Sequence, residues 1–162
     1  MREFCISTGG QTVTGSTTNI FVNPKASPNP NLEFLRWWVG QTANATSAQQ
    51  RIQLEIQGTA FPTLAAATPQ KLKPSDPNAS IIVGSTNGAL GTCGVTSSND
   101  NAGTQTPLWE DAFNVLNGWL SVPTPPETIV MPAGFGSGVG MKFPVAPGTL
   151  TNWSYGTVYR EI

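Results

Sequence analysis

The stretch Glu127–Ala146, ETIVMPAGFGSGVGMKFPVA, sets the fold class of this chain. Thr128–Val130 is β-branched, Pro132-Ala133-Gly134 breaks the run, and Gly136, Gly138 and Gly140 make a pliable connection. Val139, Met141 and Phe143 then fall two apart, with Gly140 and Lys142 between them. That is the period of a half-buried strand. The stretch is therefore predicted to be a β-hairpin, strand, glycine-rich turn, strand, against which the remaining short apolar runs pack.

Those runs repeat the theme. Leu32–Val39 is the strongest β-former of the N-terminal half, with Leu32, Phe34, Arg36 and Trp38 on one face and Glu33, Leu35, Trp37 and Val39 on the other. Both faces are largely apolar, so one is expected in the core and the other needs cover from a neighbouring segment, a second subunit or a ligand. Arg51–Gln57 alternates cleanly, with Ile52, Leu54 and Ile56 inward and Arg51, Gln53, Glu55 and Gln57 on a wet face. Phe61–Ala79 reads as a long proline-rich connection, and Gly84–Thr106 as a long loop. Pro24, Pro28 and Pro30 stiffen another loop. Thr106–Asn117 fits helical or extended spacing; the extended reading is taken. Asn152–Arg160 closes the chain, with Trp153, Tyr155, Thr157 and Tyr159 on one face.

With 17 Gly and 14 Pro among 162 residues, many turns between short strands are expected. The reading is all-β: a β-sandwich or jelly roll of about eight antiparallel strands spanning 19–162, preceded by an N-terminal arm or edge strand, 1–18. Only 10% of residues are charged and the net charge is −1. A surface that poorly charged is weakly protected against association. The scattered basic residues leave no footprint for nucleic acid. No segment reaches the roughly 18 apolar residues of a membrane span, and Met1–Ile6 lacks the apolar run of a secretory signal. Asn-x-Ser/Thr triplets at Asn44, Asn78 and Asn152 are read as chance.

Chemistry is scarce. The absence of histidine removes Ser-His-Asp and Cys-His catalysis and histidine metal centres. Cys5 and Cys93 cannot build a metal site alone and read as thiols. Gly134, Gly136, Gly138 and Gly140 miss the dinucleotide fingerprint, because the third glycine would fall on Val139. Glu110-Asp111 is the only tempting carboxylate pair, yet adjacent residues diverge in helix or strand. Glu127 reads as the tie of a proline turn. No catalytic residue, metal or cofactor is expected. Trp37 and Trp38 are neighbours on one strand and cannot share a face. One is core; the other, with Trp109, Trp119, Trp153, Tyr155 and Tyr159, is available as interface or sugar platform.

Five segments in this order, NLEFLRWWVG, RIQLEIQGTAF, TPQKLKPSDPNA, EDAFNVLNGWLSVPTPPETIVMPAG and a closing VYREI, resemble the small jelly-roll decoration (cement) proteins of tailed-bacteriophage capsids. The resemblance runs from Leu32 to Ile162. It implies a non-enzymatic virion protein, assembled in the host cytoplasm, that forms homotrimers on the capsid exterior and bridges copies of the major capsid protein. Under that reading Leu35, Trp37, Trp38, Trp153, Tyr155 and Tyr159 are expected at subunit or capsid contacts, with Met1–Thr18 and the Gly84–Thr106 loop also touching the shell. The alternative is a carbohydrate- or receptor-binding β-sandwich at a tail-fibre tip.

Overall fold

Short apolar runs punctuated by Gly and Pro form strands along the whole chain: β1 (Arg2–Gln11), β2 (Thr18–Val22), β3 (Leu32–Gln41), β4 (Gln49–Gly58), β5 (Thr63–Ala66), β6 (Gln70–Lys71), β7 (Ile82–Val83), β8 (Thr92–Asn99), β9 (Thr104–Asn114), β10 (Trp119–Ser121), β11 (Ile129–Met131), β12 (Ser137–Lys142) and β13 (Trp153–Glu161). The computed structural model describes residues 1–24, 30–42, 46–83, 91–101 and 103–162. Pro28, Asn44 and residues 84–90 and 102 of the predicted loop lie outside the described residues.

One sheet runs β10-β3-β13-β1-β6, with β11 also on β3; the other runs β5-β8-β2-β12-β4-β9, with β7 also on β8. Removing the short additions leaves β1, β13, β3 and β10/β11 facing β2, β12, β4 and β9. Apart from β4 and β9, which pair with each other, consecutive strands of this set alternate between sheets and β1 pairs with β13, which is the nested Greek-key order of a jelly roll. The all-β sandwich is as the sequence predicts. The extra strands β5 to β8 all lie in the connection between β4 and β9.

The opening stretch does not fold as a hairpin. Its two halves are strands, but β11 pairs with β3 in one sheet while β12 pairs with β2 and β4 in the other. The glycines between them form a crossover at the rim of the sandwich, and Gly134 and Gly136 take left-handed φ of 73° and 68° there. Val139, Met141 and Phe143 do share the buried face.

The two apolar faces of Leu32–Val39 are resolved by a β-bulge. Phe34 pairs with Tyr159 and Arg36 with Val158, so Leu35 is an extra residue on β3. One extra residue inverts the phase of everything after it. Leu32 and Phe34 before the bulge, and Trp37 and Val39 after it, all enter the core. Phe34 and Trp37 stack there at 5.1 Å between ring centroids.

Three further expectations meet the structure. Of the arm or edge strand expected over 1–18, Arg2–Gln11 is the strand β1, which pairs with β13 over most of its length, buries Phe4 and Ile6 and has only the short β6 outside it. The predicted loop from Gly84 contains β8, whose small residues hide a strand; a side chain at Gly94 would strike Leu64 and the Ala65 carbonyl of β5. The outer face of β4 is wet at Arg51 alone among the four residues expected there. Gln53, Glu55 and Gln57 are all buried there, and Phe21, Phe61 and Leu64 form a small second core on the same sheet. Of Thr106–Asn117, read as extended, the part up to Asn114 lies in β9 and residues 115–117 form a turn.

Candidate interaction surface

Of the six residues singled out for contacts, four are sealed inside the chain's own core. Trp37 is 1% exposed, and Trp153, Tyr155 and Tyr159 are fully buried. Phe143 and Trp153 pack at 4.6 Å and Phe4 on Tyr159 at 5.6 Å, and the Trp153 indole N–H donates to the Thr149 carbonyl at 2.8 Å. Tyr155 Oη bonds the Thr96 hydroxyl. Burial pushes the Tyr155 phenol up to about 12, against that hydrogen bond. These four residues cannot meet a partner without unfolding. The sandwich itself is the layer that covers them.

Leu35 and Trp38 remain at the surface, both half-buried on the outer face of the β3 sheet. Trp38 stands opposite Leu120 of β10 and Gly156 of β13. A Cβ on Gly156 would collide with the indole and with the Ile6 carbonyl, so glycine there lets the ring lie close to the sheet. The Arg36 guanidinium sits over the ring at 5.8 Å from its centroid, a cation–π arrangement. Leu120 is 64% exposed and Val130, opposite Glu33 on β11, is 45% exposed. Together Leu35, Trp38, Leu120 and Val130 form an apolar strip.

An ion cluster borders the strip: Arg160 reaches Glu3 at 2.9 Å and Glu33 at 3.3 Å. Much of the remaining charge is also paired off, in Arg2–Glu161 and Arg51–Glu110 at 2.6 Å each and Lys142–Asp100 at 2.9 Å. This surface therefore offers contact by shape and apolar area more than by field. Trp109 and Leu108, on the edge strand β9, are each 43% exposed.

The carboxylates do not converge on an open site. Glu110 is held by Arg51, while Asp111 accepts the Trp119 indole N–H at 3.0 Å, so the adjacent pair diverges as expected. Glu127 accepts both the amide and the hydroxyl of Thr124, which hold its carboxyl below the usual range and cap the Pro125–Glu127 turn.

The cluster that sequence reasoning missed is Glu55, fully buried on the outer face of β4. Burial raises its pKa, opposed by the amides of Gln57 and Gln53 and by the Lys142 charge. Beside it, burial also opposes ionisation of Asp100. There the Lys142 ammonium and the Thr18 amide prevail and hold the carboxyl low. Two acids pushed in opposite directions resemble an acid–base pair, but no described cavity opens on Glu55. The cluster instead pins the β4–β9 connection to the sheet. The signal in the sequence was Glu55 at a strand centre flanked by two glutamines.

Among the described residues no three His, Cys, Asp or Glu side chains are grouped to hold a metal ion. Cys93 is buried, its thiol pushed up to about 12 by that burial and donating to the Ala67 carbonyl at 3.0 Å. Comparison with known proteins finds no matching family model, no matching curated protein and no matching solved structure.

Proposed function

We propose that this chain is a non-enzymatic structural protein that works by adhesion, a decoration (cement) protein on the outside of a tailed-phage capsid. The observation that carries the reading is the exposed strip Leu35–Trp38–Leu120–Val130 on the outer face of a jelly-roll sheet. The order of segments resembling cement proteins supports it, as does the low content of charge. The partners are copies of this chain, as a trimer, and the major capsid protein.

The mechanism needs no chemistry. A contact of standard size buries about 800 Å² on each partner. Repeated over a symmetric shell, modest contacts gain from effective concentration and hold neighbouring capsomers together. Leu120→Glu with Val130→Lys places charges on the strip without entering the core. In co-sedimentation with capsids lacking the protein, the double variant should bind about tenfold or more weakly, with an unchanged far-UV spectrum. A wild-type chain that stays monomeric by light scattering and ignores such capsids would overturn the proposal.

A further inference from the structure

Three ionisable side chains meet under cover on the outer face of the sheet that holds β4 and β12. Asp100 follows β8, Lys142 ends β12 and Glu55 lies in the middle of β4. The side chains of Lys142 and Asp100 are each 13% exposed, and Glu55 is fully buried. Lys142 Nζ donates to Asp100 Oδ2 at 2.9 Å, while the other oxygen of that carboxyl, Oδ1, accepts the Thr18 amide at 2.8 Å. Glu55 and Lys142 are diagonal neighbours across β4 and β12, since Glu55 stands opposite Gly140 and Lys142 opposite Gln53. Long side chains span such a diagonal. Glycine at 140 lets the cluster close up, because a Cβ there would come within 3.1 Å of the Thr18 methyl.

In water an amine and a carboxylic acid stay apart as ions, because both charged forms are well hydrated. Burial removes that hydration and narrows the gap to the neutral amine and neutral acid. Holding the two groups together also makes their reaction intramolecular. The structure holds the pair before any reaction. Burial pushes the Asp100 carboxyl up, and the Lys142 ammonium and the Thr18 amide hold it low against that push.

We propose that Lys142 and Asp100 condense into an isopeptide bond between Nζ and Cγ, with Glu55 as proton carrier and the Thr18 amide as oxyanion donor. A proton passes from Nζ to Oδ2 along their hydrogen bond, leaving an amine and a neutral acid. The nitrogen lone pair attacks Cγ, and the charge that develops on Oδ1 meets the Thr18 N–H already in place. Glu55 takes a proton from the nitrogen and returns it to Oδ2. The Cγ–Oδ2 bond breaks, the carbonyl re-forms at Oδ1 and one water leaves. The balance closes without a co-reactant. Burial raises the Glu55 pKa, against the amide of Gln57 and the Lys142 charge, which suits a group that must both take and give a proton. A cavity for a substrate is not needed, because the substrate is the chain itself. The bond fastens β12 to the end of β8 across the intervening β2, and it is independent of the proposed shell role.

Intact-mass spectrometry of the folded chain, denatured for the measurement, is the test. The chain should be lighter than its sequence by one water, and a digest should contain a branched peptide in which residues 100 and 142 are joined. Lys142→Arg keeps the charge and lacks the nucleophile, so it should stay at full mass with a lowered urea midpoint. Glu55→Gln should slow the loss of water about a hundredfold or more. The acid-side titration of Asp100 belongs to the unreacted chain and to Lys142→Arg; the condensed chain lacks it. The wild-type reading needs no variant: a folded chain that keeps its full mass overturns the proposal. Loss of water without the branched peptide overturns it too, since the ring is then closed within the backbone. Loss of ammonia, with Lys142 joined to Gln105, whose Oε1 also accepts from Nζ at 2.9 Å, does the same. So does a folded Glu55→Gln chain that condenses at the wild-type rate.

Discussion

Tyr155 and Tyr159 stand four residues apart on β13, both fully buried, yet their hydroxyls have opposite fortunes. Tyr155 is bonded to Thr96, whereas Tyr159 Oη has no hydrogen-bond partner among the described residues. A made hydrogen bond contributes about 1 kcal/mol, and an unmade buried one costs about as much or more. Tyr155→Phe is therefore expected to lower the unfolding free energy by about 1 kcal/mol. Tyr159→Phe should leave it unchanged or raise it by a similar amount, read from urea midpoints at constant slope. The buried acids divide in the same way. Glu55 has a folded pKa above its ordinary 4.5, so its contribution is complete below 4.5 and is lost as pH rises through the folded value. Asp100 has a folded pKa below 3.8, so its contribution is present above 3.8 and is lost as pH falls through the folded value. The two together favour folding most between 3.8 and 4.5. Glu55→Gln should remove the decline on the neutral side, and Asp100→Asn the decline on the acid side. Denaturant midpoints followed from acid to neutral pH check both.

At the scale of elements, β9 is an edge strand of eleven residues with one side open. Such an edge invites pairing with other chains unless something blunts it. Here Pro107 removes a backbone donor, and a bulge at Leu108, between the Leu54–Trp109 and Glu55–Pro107 pairs, breaks the ladder. Pro107→Val is expected to fold and to self-associate through this edge, seen as a concentration-dependent rise in mass by light scattering. The same kind of device explains what the sequence concealed. Alternation in β4, β12 and β13 was legible because each keeps one phase along the residues that enter the core. In β3 the bulge at Leu35 inverts the phase, so a strand with one apolar face reads as having two, and Trp37 is mistaken for a contact residue. Trp153, Tyr155 and Tyr159 were placed on one face correctly; what spacing could not say is which layer that face meets. The Gly-rich segment before β12 carries turn chemistry that serves a hairpin and a crossover equally well, so sheet membership was beyond local pattern. Glu55 and Lys142 owe their settings to segments far along the chain, and no spacing rule reaches them.

At the scale of the whole molecule, the sandwich buries most of the described aromatic side chains and leaves the strip, with scattered exposed residues such as Trp109 and Phe135, for the outside world. That division suits a domain whose partners bind by fit, and the paired charges keep long-range attraction low. It also has a temporal consequence. The strand at the centre of the β3 sheet is β13, and its neighbours are β1 and β3, both made well before it. Until Tyr155 and Tyr159 emerge, Phe4 and Phe34 lack the ring that packs on both of them. Folding of this sheet therefore waits for β13. A stop codon just ahead of Trp153 would remove the keystone strand and leave both halves of the sheet unjoined.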